Sequence, residues 1–273
     1  MNIKNHLLFD DHEKQVDFQP TPNKGGKLAP QYLVIHYTAA TTARGSISWF
    51  LNNAAKASAH LLIDRDGSVI QFAPFNLITW HAGQSEWNGL KGMNNYSIGI
   101  ELVNGGRLSK SGDSWLCSVD KKQVGDADVV IATHKNEDVE AAWHAYTEKQ
   151  LQVAAEIATL LLSTYKLKNV LGHEDIAPHR KCDPGPAFPM ANFRSKVLGR
   201  KDDVGQLHKT TVKVNIRAGA GTQFKPVSKM LPPETPVRVL KRDGNWSFVE
   251  VMKAVHGLND VEGWIMSKFL LEG

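Results

Sequence analysis

The sequence predicts an α/β domain, with a mixed central sheet flanked by helices, followed by a small all-β barrel. Three observations lead there. Strand-like runs alternate with one strong helical run between residues 32 and 172, the pattern of a sheet with crossover helices. After Lys209 the chain breaks into short strand-like runs separated by Gly, Pro and Asp turns, with no further helical periodicity. At 273 residues the chain is long for a single core, so two domains are the natural division. We place the first at 1–200 (core about 30–195), a charged linker at 201–209 around Arg200-Lys201-Asp202-Asp203, and the barrel at 210–273.

Taken in order, residues 1 to about 30 are polar and interrupted by Pro20, Pro22, Pro30 and Gly25-Gly26, and read as an irregular arm. Residues 32–38, Y-L-V-I-H-Y-T, carry the β-branched and aromatic content of a buried strand. Residues 46–51 read as a short helix. The runs 60–64 and 68–72 flank Arg65-Asp66-Gly67, a hairpin signal. Residues 96–102 are another strand, with Ile98 and Ile100 on one face and Gly99 and Glu101 on the other. Residues 104–145 are rich in Gly, Asp, Lys and Ser and have weak periodicity, a long excursion of the kind that often carries function. Thr147-Glu148-Lys149-Gln150 is a capping box opening the best helix of the chain. Its apolar positions Leu151, Ala154, Ala155, Ala158, Leu161, Leu162 and Tyr165 keep the i, i+3, i+4 spacing, and Lys166 and Lys168 suit its C-terminal end. Strand-like runs at 212–216, 237–240, 246–251 and 263–266 compose the barrel.

The stretch that organises the first domain is residues 171–188, L-G-H-E-D-I-A-P-H-R-K-C-D-P-G-P-A-F. His173 ends an apolar strand-like run. Asp183 stands directly before Pro184, which disfavours helix at the preceding residue and places Asp183 in extended chain. A histidine and a carboxylate on a braced loop make half of a zinc site. The best candidate for the other half is His36, inside the first confident strand.

Composition bounds the rest. The net charge of +4 is mild; it suits anionic polymers such as cell wall and is no nucleic-acid signature. Two cysteines, Cys117 and Cys182, give no disulfide framework. No stretch is apolar enough for a membrane span, and the N-terminus has no apolar core of signal-peptide length. Action outside the cytoplasm would then need lysis, a dedicated export route, or a leader that this sequence lacks.

Four motifs stand in one order: V-I-H-Y-T-A at His36, W-H-A-G at His81, Y-S-I-G-I-E at Glu101, and G-H-E-D-I-A-P-x-R-K-x-D-P-G-P at Lys181. Together they resemble the zinc-dependent N-acetylmuramoyl-L-alanine amidases of the peptidoglycan-recognition and phage-lysozyme amidase superfamily, over about residues 30–195. The resemblance implies hydrolysis of the amide between the lactyl group of N-acetylmuramic acid and L-alanine of the stem peptide. It implies Zn2+ as cofactor and peptidoglycan or muropeptides as partners. Within the superfamily the chain looks most like the branch with a catalytic glutamate in the I-G-I-E strand. His179 departs from that branch, which usually has a small residue there, so no ligand role is implied for it. N-I-R-A-G-A-G-T near Arg217, D-G-N-W near Trp246 and E-G-W-I near Trp264 resemble bacterial SH3-like domains, which commonly attach wall hydrolases to peptidoglycan.

On this reading His36, His173 and Asp183 are the metal ligands, leaving a fourth position for water. Taken alone, His36 would read as a core histidine. Glu101, a lone carboxylate in the apolar run 98–102, is the expected general base. Lys181 is by default a surface lysine; sharing a face with Asp183 it can stabilise the oxyanion. Cys182, the alternative ligand by chemistry, is expected to point away and pack as a small apolar residue. His81 can hydrogen-bond substrate or serve as a structural histidine beside Trp80. Asn94 and Asn95 are candidate substrate contacts. His60 reads as a core residue, His134 and His144 as solvated ones, and Trp246 and Trp264 as barrel packing. Two rival functions are a non-catalytic peptidoglycan-binding protein and a cytosolic amidase that recycles muropeptides.

Overall fold

The structure is a computed structural model, and it describes residues 1–198, 207–253, 255–256 and 261–272. The chain divides into two compact units, Met1–Phe188 and Pro189–Gly273. The linker expected at 201–209 lies outside the described residues except for its end, where Leu207–Thr210 is a strand.

The first unit is built on a six-stranded mixed sheet. Its spatial order is Asn169–Gly172, Tyr32–Tyr37, Ser97–Leu102, Leu61–Ile63, Val69–Gln71 and Asp17–Phe18. The first four strands run parallel; Val69–Gln71 returns antiparallel through the predicted turn at Asp64–Ser68. The strand Tyr32–Tyr37 is interior to the sheet, paired on both edges, and buried along nearly its whole length, as its unbroken apolar run requires. On the face shared with His36, Tyr32 and Val34 pack with Ala82, Met93, Leu171 and Ile176.

Parallel register brings three strand ends together. Glu101 pairs with His36, and Gly172 pairs with Ile35, so His173 emerges beside His36. Ligand sites in open parallel sheets form at such carboxyl ends.

The helix Glu148–Tyr165 buries Val153, Ala154, Ile157, Ala158 and Leu161 along one stripe. Thr147 caps it by accepting from the Gln150 amide N–H at 3.1 Å. The capping box is only half made. The Gln150 side-chain amide instead donates to the carbonyls of Ile63 and Val103, at 3.0 and 3.1 Å, and so satisfies two buried acceptors at the sheet end.

The arm expected to be irregular is ordered. Asn2–Lys4 and Leu7–Phe9 form a hairpin, Leu8 is fully buried, and Gln71 binds the hairpin backbone through both ends of its amide. The excursion is also structured. It holds a three-stranded meander of Leu108–Ser111, Ser114–Cys117 and Gln123–Val124, then a hairpin of Val129–Thr133 and Glu140–His144.

The second unit holds a five-stranded antiparallel sheet, in the order Glu262–Met266, Trp246–Val251, Pro236–Asp243, Leu207–Thr210 and Leu270–Glu272. Val214, Ile216, Leu231, Val237, Val249 and Ile265 are central to its apolar core. The run 212–216 contributes an isolated bridge at Val214 rather than a strand. Trp246 and Trp264 are half-buried, and Trp264 lies tilted against Phe248 with ring centroids 5.4 Å apart. A cleft of about 220 Å³ is lined by Lys213, Arg217, Met230, Trp246, Met266 and Phe269, among others.

Candidate metal centre

His36 is held in the strand Tyr32–Tyr37, where its ring has no freedom to reach water; it is 1 % exposed. His173 opens a one-turn helix, His173–Ile176, rather than ending the strand. The reason is local: Asp175 accepts from the Gly172 amide N–H at 2.7 Å and so starts the turn. Asp183 is also buried, and its preceding loop is fixed by the Glu174 amide N–H donating to the Asp183 carbonyl at 2.9 Å.

These three side chains meet. His36 Nδ1 and His173 Nδ1 are 2.9 Å apart, and each is 3.0 Å from Asp183 Oδ2. Among the described residues this is the group of three or more His, Cys, Asp and Glu side chains able to hold a metal ion. A tetrahedral cation with bonds of roughly 2.0–2.1 Å separates its ligands by about 3.3 Å, within a few tenths of these edges. His173 Nε2 lies 3.1 Å from the Ala82 carbonyl, an acceptor only, and 3.4 Å from the Arg180 guanidinium, a donor only; the shorter contact assigns the hydrogen to Nε2, and Nδ1 then presents a bare lone pair. A lone pair facing a second imidazole nitrogen and a carboxylate inside a buried triangle calls for a cation. The donor set therefore fits a metal, and two imidazoles with one carboxylate suit zinc among the common ions.

The electrostatics agree with that reading. Burial disfavours charge at His36, and the neighbouring His173 adds to this, lowering its pKa to about 4 against the pull of Asp183. The ring is therefore neutral at neutral pH, the form that can ligate a metal. Burial alone would raise the Asp183 pKa, but its contacts with the His173 and His36 rings hold it well below the usual carboxylate range.

Cys182 turns out of the triangle. Its Sγ sits 3.1 Å from the Tyr37 hydroxyl, which lies on the far side of the alternation from His36. Lys181 is half-buried, and its charge acts on both His36 and Glu101. Glu101, the register partner of His36, has one carboxylate oxygen buried with no hydrogen-bond partner. Burial, then repulsion from Asp183, raises its pKa well above the ordinary value, with Lys181 opposing. An underused buried carboxylate beside a metal triangle is suited to accept a proton.

The remaining candidates fall elsewhere. His81 is buried behind His36, with its two ring nitrogens 2.9 Å from His36 Nε2 and 3.3 Å from the Ser97 carbonyl. Both contacts are to groups of the protein itself. Asn94 Oδ1 accepts from the backbone N–H groups of His81 and Ala82, at 3.0 and 2.7 Å, and so brackets that strap. Asn95 is exposed, and its side chain donates to the Gly92 carbonyl. His179 is exposed. His60 is a core residue, accepting from the Gly99 amide N–H at 3.0 Å.

His134 and His144, expected to be solvated, are buried. His134 Nε2 is 2.7 Å from Glu174, and His144 Nδ1 accepts from the Gly105 amide N–H at 2.9 Å. Glu174 was missed in the sequence. It is 5 % exposed and joins His134, Lys135 and the Gly185 amide N–H, clamping the excursion onto the loop that carries His173 and Asp183. Its only sequence signal was an acidic residue directly after a candidate ligand.

Residues 26–186 match the N-acetylmuramoyl-L-alanine amidase family, and residues 212–270 match the bacterial SH3 domain family. The chain is 37 % identical over 141 residues to the 1,6-anhydro-N-acetylmuramyl-L-alanine amidase AmpD of Escherichia coli K12, covering 51 % of this chain and 57 % of that protein. It is 30 % identical over 185 residues to the N-acetylmuramoyl-L-alanine amidase AmiD of the same organism, covering 64 % and 56 %. The matched stretch is thus a little over half the length of these curated relatives. Among solved structures, a selenomethionine derivative of AmpD aligns with TM-score 0.48 and 27 % identity, over 72 % of this chain and 99 % of that one. AmiD from E. coli, solved with the substrate anhydro-N-acetylmuramic acid-L-Ala-D-γ-Glu-L-Lys, aligns with TM-score 0.47 and 26 % identity, over 69 % and 65 %. No described helix is long and apolar enough to cross a membrane.

Proposed function

Because the chain belongs to the N-acetylmuramoyl-L-alanine amidase family, we propose that it hydrolyses the amide between the lactyl group of N-acetylmuramic acid and L-alanine of peptidoglycan stem peptides. The observation that carries the reading is the buried His36–His173–Asp183 triangle with Glu101 beside it. These three residues would hold zinc, which when bound polarises the scissile carbonyl and lowers the pKa of water toward neutrality.

The protein's own groups do the rest. Glu101 takes the proton of the attacking water and hands it to the nitrogen of the leaving L-alanine. Its raised pKa makes it a better base than an exposed carboxylate and a sufficient acid for the return step. Lys181 supplies positive charge to the carbonyl oxygen as that oxygen gains negative charge. Asp183 keeps its charge and offsets part of the cation's, while the buried strand holds His36 against rotation.

We assign the amidase to about 1–200 and a wall-binding role to the SH3-like unit, 210–273. Its cleft combines Lys213 and Arg217 with Trp246 and Phe269, a lining suited to anionic, partly apolar wall fragments. A receptor without activity would have no use for Glu101 beside the triangle. Whether the enzyme works on intact wall or on soluble recycled muropeptides follows from the same assay. Purified sacculi and soluble anhydromuropeptides are incubated with protein, with and without chelator, and products are identified by mass. Free stem peptide released only without chelator is expected. Intact lactyl–alanine bonds in both substrates would overturn the reading.

A further inference from the structure

We infer that the two-residue strap His81-Ala82 fixes the tautomers of both histidines in the triangle, and that His81 does so as a relay from the Ser97 carbonyl. The inference rests on the metal reading above.

For His173 the device is direct. The Ala82 carbonyl accepts from Nε2–H at 3.1 Å and also takes the Arg180 guanidinium at 2.9 Å, so it is held in place. For His36 it is indirect. The group next to His36 Nε2 is another imidazole, His81, at 2.9 Å. An imidazole nitrogen can donate or accept, so His81 by itself selects nothing. If His81 donated from Nδ1, His36 would carry its hydrogen on Nδ1, and its lone pair would face away from the triangle.

The choice is made one bond further out. His81 Nε2 lies 3.3 Å from the Ser97 carbonyl oxygen, which can only accept. The Ser97 hydroxyl, 3.4 Å from the same nitrogen, spends its hydrogen on the Met93 carbonyl at 2.7 Å. Both neighbours thus present lone pairs to His81 Nε2, which must carry the hydrogen. His81 Nδ1 is then an acceptor, His36 Nε2 the donor, and His36 Nδ1 is left bare toward His173 and Asp183. No change of charge is involved.

Two further features belong to the device. Gly99 lies in the strand beside His36, and a Cβ there would stand 2.5 Å from His81 Cγ. Glycine in the I-G-I-E strand makes room for the relay ring. Asn94 Oδ1 accepts from both strap N–H groups, setting the height of His81 and Ala82 together. The W-H-A-G and I-G-I-E motifs are therefore one part rather than two. His81 is a positioning residue, touching neither substrate nor metal.

Two measurements on the full chain test this. Zinc affinity is read by competition with a chelating dye for wild type, His81→Phe and His81→Gln. Phenylalanine fills the space without accepting; glutamine accepts from His36 and donates to Ser97. Loss of about 10- to 100-fold in His81→Phe, mostly recovered in His81→Gln, is expected. Unchanged affinity in a folded His81→Phe overturns the inference and leaves the zinc reading standing. Failure of the wild type to bind zinc overturns both. Two-bond 1H–15N spectra of histidine-labelled, metal-free wild type give the tautomer without any variant having to fold. His81 with its hydrogen on Nε2 is expected, and hydrogen on Nδ1 overturns the relay.

Discussion

At the scale of single residues, the ligand and base candidates were legible because their types are costly where they stand. A histidine inside Y-L-V-I-H-Y-T and a glutamate inside I-G-I-E-L need a buried partner or a task. The structure puts them side by side as register partners. The contacts that His81 and Asn94 make were not legible, because they are a partner 45 residues away for the first and two backbone N–H groups for the second. The choice between Cys182 and Asp183 follows from alternation in extended chain. Cys182→Ser should keep zinc and most activity, and Asp183→Ala should lose both; elemental analysis paired with a muropeptide assay checks it, and the reverse result would make Cys182 the ligand. Glu101→Gln keeps shape and removes the base. Zinc should be retained and turnover should fall roughly 100-fold or more. The pH profile carries the same assignment. A base works deprotonated, and the Glu101 pKa is raised, so turnover should decline as pH falls through that raised value. The acidic limb should vanish from the residual activity of Glu101→Gln, and an unchanged limb would assign it to another group.

At the scale of elements, strong periodicity was read correctly and weak periodicity was not. The helix Glu148–Tyr165 is long and striped. The strands of the excursion are two to five residues long and mostly polar at their exposed positions, so no alternation separates them from loop. Their order comes from tertiary contacts: Glu174 binds His134 and Lys135, and the Trp143 indole N–H donates to the Ala132 carbonyl at 3.0 Å. Glu174→Ala would strand the buried His134, while Lys135 would keep its pairing with Asp175 at 2.6 Å. We expect a loss of about 3 kcal/mol, measured by urea unfolding; a loss under about 1 kcal/mol would show the clamp to be incidental. The buried neutral histidines give the fold a pH dependence of definite sign. Burial lowers the His60 and His144 pKa values to about 4, below the ordinary value of 6.5. Below pH 6.5 the unfolded chain takes up protons that the folded one refuses, so their contribution is whole above pH 6.5 and drains away toward pH 4. The urea midpoint of the metal-free protein should fall over that window, and a flat midpoint would contradict buried neutral rings.

At the scale of the whole molecule, the change of composition after Lys209 announced a second fold, and the structure has a separate antiparallel unit there. The exact division was beyond the sequence. The helix Met190–Val197 groups with the second unit, although its stripe of Ala191, Phe193 and Val197 continues the first domain's amphipathic style. Grouping depends on which core a stripe faces, and periodicity reports only that a stripe exists. On the proposed wall-binding role, what would join the units functionally is effective concentration. A module that grips the wall holds the catalytic unit near many equivalent bonds, which raises turnover on polymer without touching the chemistry. The residues proposed for the amidase chemistry, His36, Glu101, His173, Lys181 and Asp183, lie wholly within the first unit. A chain ending at Lys201 should therefore cut soluble muropeptides at close to the full-length rate, while its retention by sacculi in a pull-down and its activity on them should both fall. Equal retention with and without residues 202–273 would refute wall binding by the SH3-like unit. Loss of activity on the soluble substrate as well, with circular dichroism unchanged, would instead mean that the second unit takes part in the chemistry.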